Sequence, residues 1–298
     1  MIVPKPLICI FLIAILVSSC DPWTLEKRPD HDFITFETII QDNANKESWG
    51  ILYDEGGYNV VGTSEGTGTG NPDVYLVKVD ETGVKQWHSS FGDSDPEQGT
   101  SIVKLSDNQG YGIVGNKNVA GNDWQIYLVN SDLQGNKIWE NGYGWTKEDK
   151  AYSLIQQPDK GFLLLGYSLT WEAAKLGSEA VIYKTLPDGQ EQTRYNFGNP
   201  VENGDDLDDY GYSIISSNDG HFIILTMFED KNYSGLFNIH LLKLDGTSLD
   251  VLWDQTLIEN CFPINASLIK LSDGYAVVGA LTSNKLSLVR TNLTGANL

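Results

Sequence analysis

The apolar positions of this chain fall into short runs separated by turns rich in Gly, Asp and Asn, and one run recurs. Gly-aromatic-x-apolar-apolar-Gly occurs at 57–62 (GYNVVG), 110–115 (GYGIVG), 161–166 (GFLLLG) and 274–279 (GYAVVG), with a looser copy at 220–225 (GHFIIL). Each phrase follows a shorter apolar run that opens on a small residue: 50–52, 101–103, 153–155, 213–215 and 267–269. A longer run follows it, at 74–78, 126–129, 180–183, 239–243 and 286–290. A turn containing Asp and Gly then leads to a fourth segment, usually opened by Trp, at 87–91, 139–143, 193–197 and 253–257. Short apolar runs bounded by such turn residues read as β-strands. The near-continuous apolar character of the second and third runs means that both of their faces are covered.

The aromatic steps fall at Tyr58, Tyr111, Phe162, Phe222 and Tyr275, a period of roughly fifty residues. Four short antiparallel strands per repeat, stacked face to face, predict an all-β chain folded as a five-bladed β-propeller. The fifth unit is incomplete, because only residues 291–298 follow its third strand. Phe36 and Ile40 repeat the spacing of Trp87 and Phe91, so residues 33–40 are expected to supply the missing outer strand. That closure joins the chain ends and removes an open sheet edge.

The start of the chain has a different pattern. Lys5 precedes an apolar run from Leu7 to Val17, followed by Ser18, Ser19 and Cys20. The run is short for a membrane span and has the charged start and small-residue end of a signal peptide. Residues 17–20 (VSSC) resemble the lipobox of bacterial lipoproteins. The resemblance implies cleavage before Cys20, diacylglycerol on its sulfur and an acyl chain on its amine. The expected organisation is a signal peptide at 1–19, a lipidated Cys20 with a polar tether at 20–32, and the propeller at 33–298. Cys9 would leave with the signal, so Cys261 would be the one thiol of the mature domain and no intrachain disulfide is expected. A buried thiol is the expected state of Cys261. The expected location is a bacterial cell envelope, lipid-anchored, with the outer membrane favoured.

The repeats themselves resemble those of bacterial β-propeller lipoproteins of the Bacteroidetes type, which carry G-G-Y-x-V-x-G, D-x-Y-L-V-K-x-D and G-x-x-x-W. Residues 73–80 (DVYLVKVD) and 83–87 (GVKQW) match closely. Residues 80–87 (DETGVKQW) also resemble the Trp-docking repeat of quinoprotein propellers, which implies a Trp stacked between blades rather than a quinone cofactor. Two departures stand out: Thr193 takes the Trp place in blade three, and the turn from Gly246 to Trp253 in blade four is longer than its counterparts.

Composition narrows the function. With 41% apolar residues the chain can bury a core and is not a disordered one. Acidic residues number 40 against 20 basic ones, and a formal charge of −20 repels phosphates, so no nucleic-acid partner is expected. Glu97, Asp149 and Asp209 each stand four residues ahead of an aligned Ser, at what would be the mouth of the channel. Three such carboxylates could bind a cation or work as an acid/base pair, although a recurring position also follows from repeat ancestry alone. The acidic loop at 204–209 (GDDLDD) lacks the alternating spacing of a calcium loop. His31, His88, His221 and His240 form no zinc pattern, and no nucleophile or phosphate-loop motif is present. No cofactor or metal is expected.

Ligand specificity is expected where repeats differ. The longest departures are 168–179, 199–210 and 229–237, which carry Trp171, Tyr233, Asp205 and Asp209, with Trp145 in the neighbouring junction. These residues define an expected partner surface over blades three and four. Two functions remain open: a non-enzymatic binding or scaffold propeller for a protein or glycan, acting as a monomer, or a glycan-active enzyme using Glu97, Asp149 or Asp209. Five-bladed glycosidases place carboxylates at the ring centre, so two carboxyl groups about 5–10 Å apart across one pocket would favour the enzyme.

Overall fold

The computed structural model describes residues 37, 39, 45–54, 56–65, 71–119, 123–144, 147–169, 177–198, 207–261, 266–282 and 285–296. They contain strands and no helix. Blade one is β1 (Lys46–Asp54), β2 (Gly57–Ser64), β3 (Asp73–Val79) and β4 (Lys85–Phe91). Blade two is β5 (Glu97–Lys104), β6 (Gly110–Val119), β7 (Asp123–Asp132) and β8 (Lys137–Tyr143). Blade three is β9 (Asp149–Gln156), β10 (Phe162–Leu169), β11 (Ser178–Thr185) and β12 (Glu191–Phe197). Blade four is β13 (Asp209–Ser216), β14 (Phe222–Glu229), β15 (Phe237–Leu244) and β16 (Val251–Cys261). Blade five has β17 (Ala266–Lys270), β18 (Gly274–Thr282) and β19 (Lys285–Asn292). Consecutive strands within each sheet pair antiparallel, and the fold is a five-bladed β-propeller. The strand expected to complete blade five falls, apart from Glu37 and Ile39, outside the described residues, as do the signal peptide and the tether.

Burial follows the layered packing. All eight residues of β14 are buried, because a middle strand is covered by a blade on either side. The outer strands β4 and β8 alternate exposed with more buried positions, as a sheet margin does. Apolar clusters fill the spaces between blades. Val61, Leu76 and Phe91 meet Tyr111, Ile113 and Val129, while Val114 and Leu128 meet Leu154, Phe162 and Val181.

Three junctions share one tryptophan arrangement. The rings of Trp87, Trp139 and Trp253 lie against the positive-φ turns of the following blade. A Cβ on Gly135, Gly189 or Gly295 would stand 2.6, 2.5 or 2.9 Å from those rings. Blade three has Thr193 at this place, and the junction to blade four is filled differently. The longer turn after β15 carries Leu249, which is 2% exposed and packs into the cluster shared by blades three and four. Asp245 shapes that turn by accepting the Thr247 and Ser248 N–H groups, each at 2.9 Å. The two departures in sequence are therefore one compensated change.

Candidate functional site

The site begins with a defect repeated in the innermost strands. Pairing along β1 jumps from Ser48 to Gly50 while its partner β2 advances by one residue. The same jump runs from Gly99 to Ser101 in β5, from Ala151 to Ser153 in β9, and from Gly211 to Ser213 in β13. Trp49, Thr100, Tyr152 and Tyr212 are thus the extra residues of four β-bulges at one register. A bulge breaks the alternation of faces, so the extra residue and the small residue after it both point toward the axis. The partner strand must approach closely there. A Cβ on Gly62, Gly115 or Gly166 would lie 1.8, 2.0 or 1.8 Å from the carbonyl oxygen of Glu47, Gln98 or Lys150. In blades one to three the glycine closing the repeat phrase makes room for that carbonyl, whereas in blade four Thr226 takes the place, opposite Gly211.

The bulged residues open onto a cavity of about 620 Å³ to which all five blades contribute. Its small floor residues are Gly50, Ser101, Ser153, Ser213 and Ser267, one from each innermost strand. Around them stand Trp49, Gln98, Thr100, Asn116, Lys150, Tyr152, Tyr212 and Ala266. Hydrogen bonds tie neighbouring blades together at this level. Thr100 Oγ1 donates to the Ala151 carbonyl at 2.9 Å, the Ala151 N–H donates to Asn116 Oδ1 at 2.9 Å, and the Ile214 N–H donates to Ser153 Oγ at 3.2 Å.

The aromatic wall is held from behind. Tyr152 and Tyr212 stack with centroids 5.5 Å apart and planes 17° apart. Tyr152 also meets Tyr167 at 6.0 Å, Tyr167 meets Tyr210 edge-on at 5.0 Å, and Tyr210 meets Phe237 at 5.8 Å. Burial pushes the Tyr152 and Tyr212 phenols above their ordinary range, so both remain neutral at physiological pH. Lys150 forms an ion pair with Glu148 at 2.8 Å and lies 5.0 Å over the Trp124 ring. Burial alone would raise the Glu148 carboxyl, but hydrogen bonds from Lys150 and Tyr167 outweigh it and hold the group below its usual value.

The three repeated carboxylates are not at this cavity, contrary to the expectation of a channel-mouth cluster. Glu97, Asp149 and Asp209 are the first residues of β5, β9 and β13, with exposures of 0%, 1% and 3%. Alternation explains it: Gln98 and Lys150 take the axial side, and the acid before each turns into the blade junction. Each carboxylate sits behind the glycine that ends the preceding blade. A Cβ on Gly92, Gly144 or Gly198 would come within 2.3, 2.6 or 2.0 Å of its oxygen. Glu97 accepts the Asp93 N–H at 3.3 Å and faces Lys117 at 3.4 Å, yet burial drives its pKa up to about 7. Asp149 accepts the Tyr183 hydroxyl at 3.3 Å, and Asp209 accepts the Glu229 N–H at 3.2 Å. Asp209 is for the same reason not part of an exposed partner surface.

Of the other residues expected on that surface, Tyr233 is 59% exposed, and Trp145, Trp171 and Asp205 lie outside the described residues. The described ends of the three variable loops do meet. The Ser178 N–H donates to Asp208 Oδ1 at 2.8 Å, and the Asp208 N–H donates to Glu229 Oε2 at 2.9 Å. Cys261 is buried at 2% exposure, with Sγ 3.1 Å from the Phe237 carbonyl, and burial pushes its thiol pKa up. His240 is paired with Asp254 at 2.8 Å. Among the described residues no group of three or more His, Cys, Asp or Glu side chains is placed to hold a metal. Sequence reasoning missed Tyr152, Tyr212, Gln98 and Lys150 as site residues. The available signal was the position just before the aligned small residue, which reads Trp49, Thr100, Tyr152, Tyr212, Ala266 while its neighbour stays Gly or Ser.

No protein-family model and no curated protein matches the sequence. Solved structures do. The WD40 domain of Neurospora crassa Pan2 aligns at 10% identity over 85% of this chain and 65% of its own, with a TM-score of 0.54. A puromycin hydrolase variant complexed with PGG aligns at 10% identity over 85% of this chain and 37% of its own, with a TM-score of 0.51. An endo-arabinase from Bacteroides thetaiotaomicron aligns at 15% identity over 84% of this chain and 94% of its own, with a TM-score of 0.49. This chain thus spans less than two thirds of the first two proteins, and at such identities the likeness establishes the β-propeller fold and nothing finer.

Proposed function

We propose that this chain is an extracytoplasmic binding propeller, anchored to a bacterial envelope membrane through lipid on Cys20, whose ligand enters the axial cavity. The observation that carries the binding reading is the set of four bulges at one register. Bulges recur beside functional sites because they re-aim a side chain without dismantling the sheet. Here they aim Trp49, Thr100, Tyr152 and Tyr212 at one space. The cavity also falls in the size range of small-ligand sites, about 300–1,000 Å³. The reading is of a non-enzymatic module for a glycan or a protein segment. The enzyme alternative needs carboxylates at the cavity, and Glu97, Asp149 and Asp209 face elsewhere.

The anchor is tested by Cys20→Ala, which should leave the membrane fraction or accumulate as uncleaved precursor. Processed, lipid-bearing protein from that variant would refute it. The cavity is tested by Ser267→Cys, which places a thiol at an exposed lining position while Cys261 stays buried. Envelope glycan or protein fractions that occupy the cavity should slow maleimide labelling at 267. Protection at a Tyr233→Cys thiol with none at 267 would move the site to the rim.

A further inference from the structure

We infer that the cavity is built for a neutral oligosaccharide; this deepens the binding reading above and rests on it. A sugar ring presents an apolar C–H face and a rim of hydroxyls, so its receptor needs flat aromatic surface beside neutral hydrogen-bonding groups. The cavity supplies both. Trp49, Tyr152 and Tyr212 offer ring surface, and Gln98, Ser101, Ser213 and Ser267 offer amide and hydroxyl groups of both donor and acceptor kind.

Charge selects against other polar ligands. No carboxylate is among the described lining residues, and the cation there, Lys150, is already neutralised by Glu148 at 2.8 Å. The chain as a whole carries −20, which opposes entry of uronate-rich or sulfated polymers. A neutral, hydroxyl-rich molecule meets neither an unanswered charge nor long-range repulsion.

Rigidity adds to the case. The Tyr152–Tyr212 pair is backed by Tyr167, Tyr210 and Phe237 through the ring contacts described above. Rings held by packing lose little freedom when a ligand stacks on them, which favours weakly attractive ligands such as sugars. The cavity is also partly open and is lined by residues of all five blades, so a chain end can enter it.

The test uses the full-length chain in detergent and calorimetric titration with short neutral homo-oligosaccharides of glucose, mannose, xylose and arabinose, plus a galacturonate oligomer. At least one neutral probe should bind, and the galacturonate oligomer should bind at least about tenfold more weakly. Trp49→Ala should weaken binding about tenfold, the order expected for a lost aromatic contact. Trp49 is 55% exposed, so the fold survives its removal. Tyr212→Phe should keep the stacking and most of the affinity, whereas Tyr212→Ala should not. Absence of binding by every neutral probe, while Ser267→Cys is still protected by an envelope protein fraction, overturns the sugar inference and leaves the cavity reading standing. Sugar binding unchanged by Trp49→Ala, Tyr212→Ala and maleimide-blocked Ser267→Cys overturns both. Equal affinity for galacturonate overturns the neutrality argument. New reducing ends released from a bound probe keep the sugar and overturn the non-enzymatic reading.

Discussion

Glu97 offers the sharpest quantitative test of the junction chemistry. Its side chain is fully buried, its Oε2 has no hydrogen-bond partner, and its pKa rises from 4.5 to about 7, chiefly through burial and against the pull of Lys117. A carboxyl with a raised folded-state pKa holds a proton that the unfolded chain has already lost. Between pH 4.5 and about 7 the native state binds more protons, so stability falls as pH rises through that window, and the loss is complete above it. At about 1.4 kcal/mol per pH unit the whole effect is about 3 kcal/mol. Glu97→Gln keeps the shape and removes the ionisation. The variant should exceed the wild type by up to about 3 kcal/mol near pH 8, and the gap should close toward pH 4.5. Isothermal denaturation in urea across this range measures both curves, and their difference cancels every other titrating group. Parallel curves would refute the assignment, since they would mean that Glu97 is ionised in the fold at no cost.

Three further outcomes follow from the packing. Leu249→Ala should cost about 2–4 kcal/mol in chemical denaturation, because it empties the place that a Trp fills at other junctions; a loss under about 1 kcal/mol would mean the junction closes without it. Gly166→Ala should disrupt the bulge at Tyr152, since the new methyl would sit 1.8 Å from the Lys150 carbonyl oxygen; ligand affinity and melting temperature should fall together, and an unchanged affinity would separate the bulge from the site. Deleting residues 33–40 should lower the melting temperature if they supply the outer strand of blade five, through loss of a strand and its apolar residues; an unaltered melting curve would end the closure proposal.

The fold was legible because its signals are redundant. The Gly-aromatic phrase, the small residue opening each inner strand and the Trp after the Asp-Gly turn each recur with the blade, so one irregular copy does not hide the period. The candidate site was mostly illegible for a physical reason. Face alternation is the rule by which a strand sequence is read, and the bulge suspends that rule at the site. Tyr152 and Ser153 are neighbours, so a regular strand would place only one of them on the axis, and both line it. Glu97, Asp149 and Asp209, four residues ahead of the aligned Ser, read as preceding the strands and lying at the channel mouth. Pairing in fact continues through the bulge, and each acid becomes the buried first residue of its strand. Thr193 and the long turn of blade four were both visible as departures. That one repairs the other needed Leu249 to be seen in the junction.

The bulged register separates two demands that usually conflict in a propeller. The aligned small residue stays Gly or Ser in every blade, because inner strands converge at the axis and small side chains fit there. In blades one to four the bulged residue is left out of the ladder, so its side chain bears no pairing constraint. Size and chemistry can therefore vary there, from Thr100 to Trp49, while the pairing on either side is kept. In blades one to three the cost is carried by the facing glycine, which accepts the close carbonyl at Gly62, Gly115 and Gly166. A ring assembled in this way gives each blade one adjustable position aimed at a shared centre. In this chain those positions place two stacked tyrosines and a tryptophan around a hydroxyl-lined space, whereas Glu97, Asp149 and Asp209 are buried at the starts of their strands.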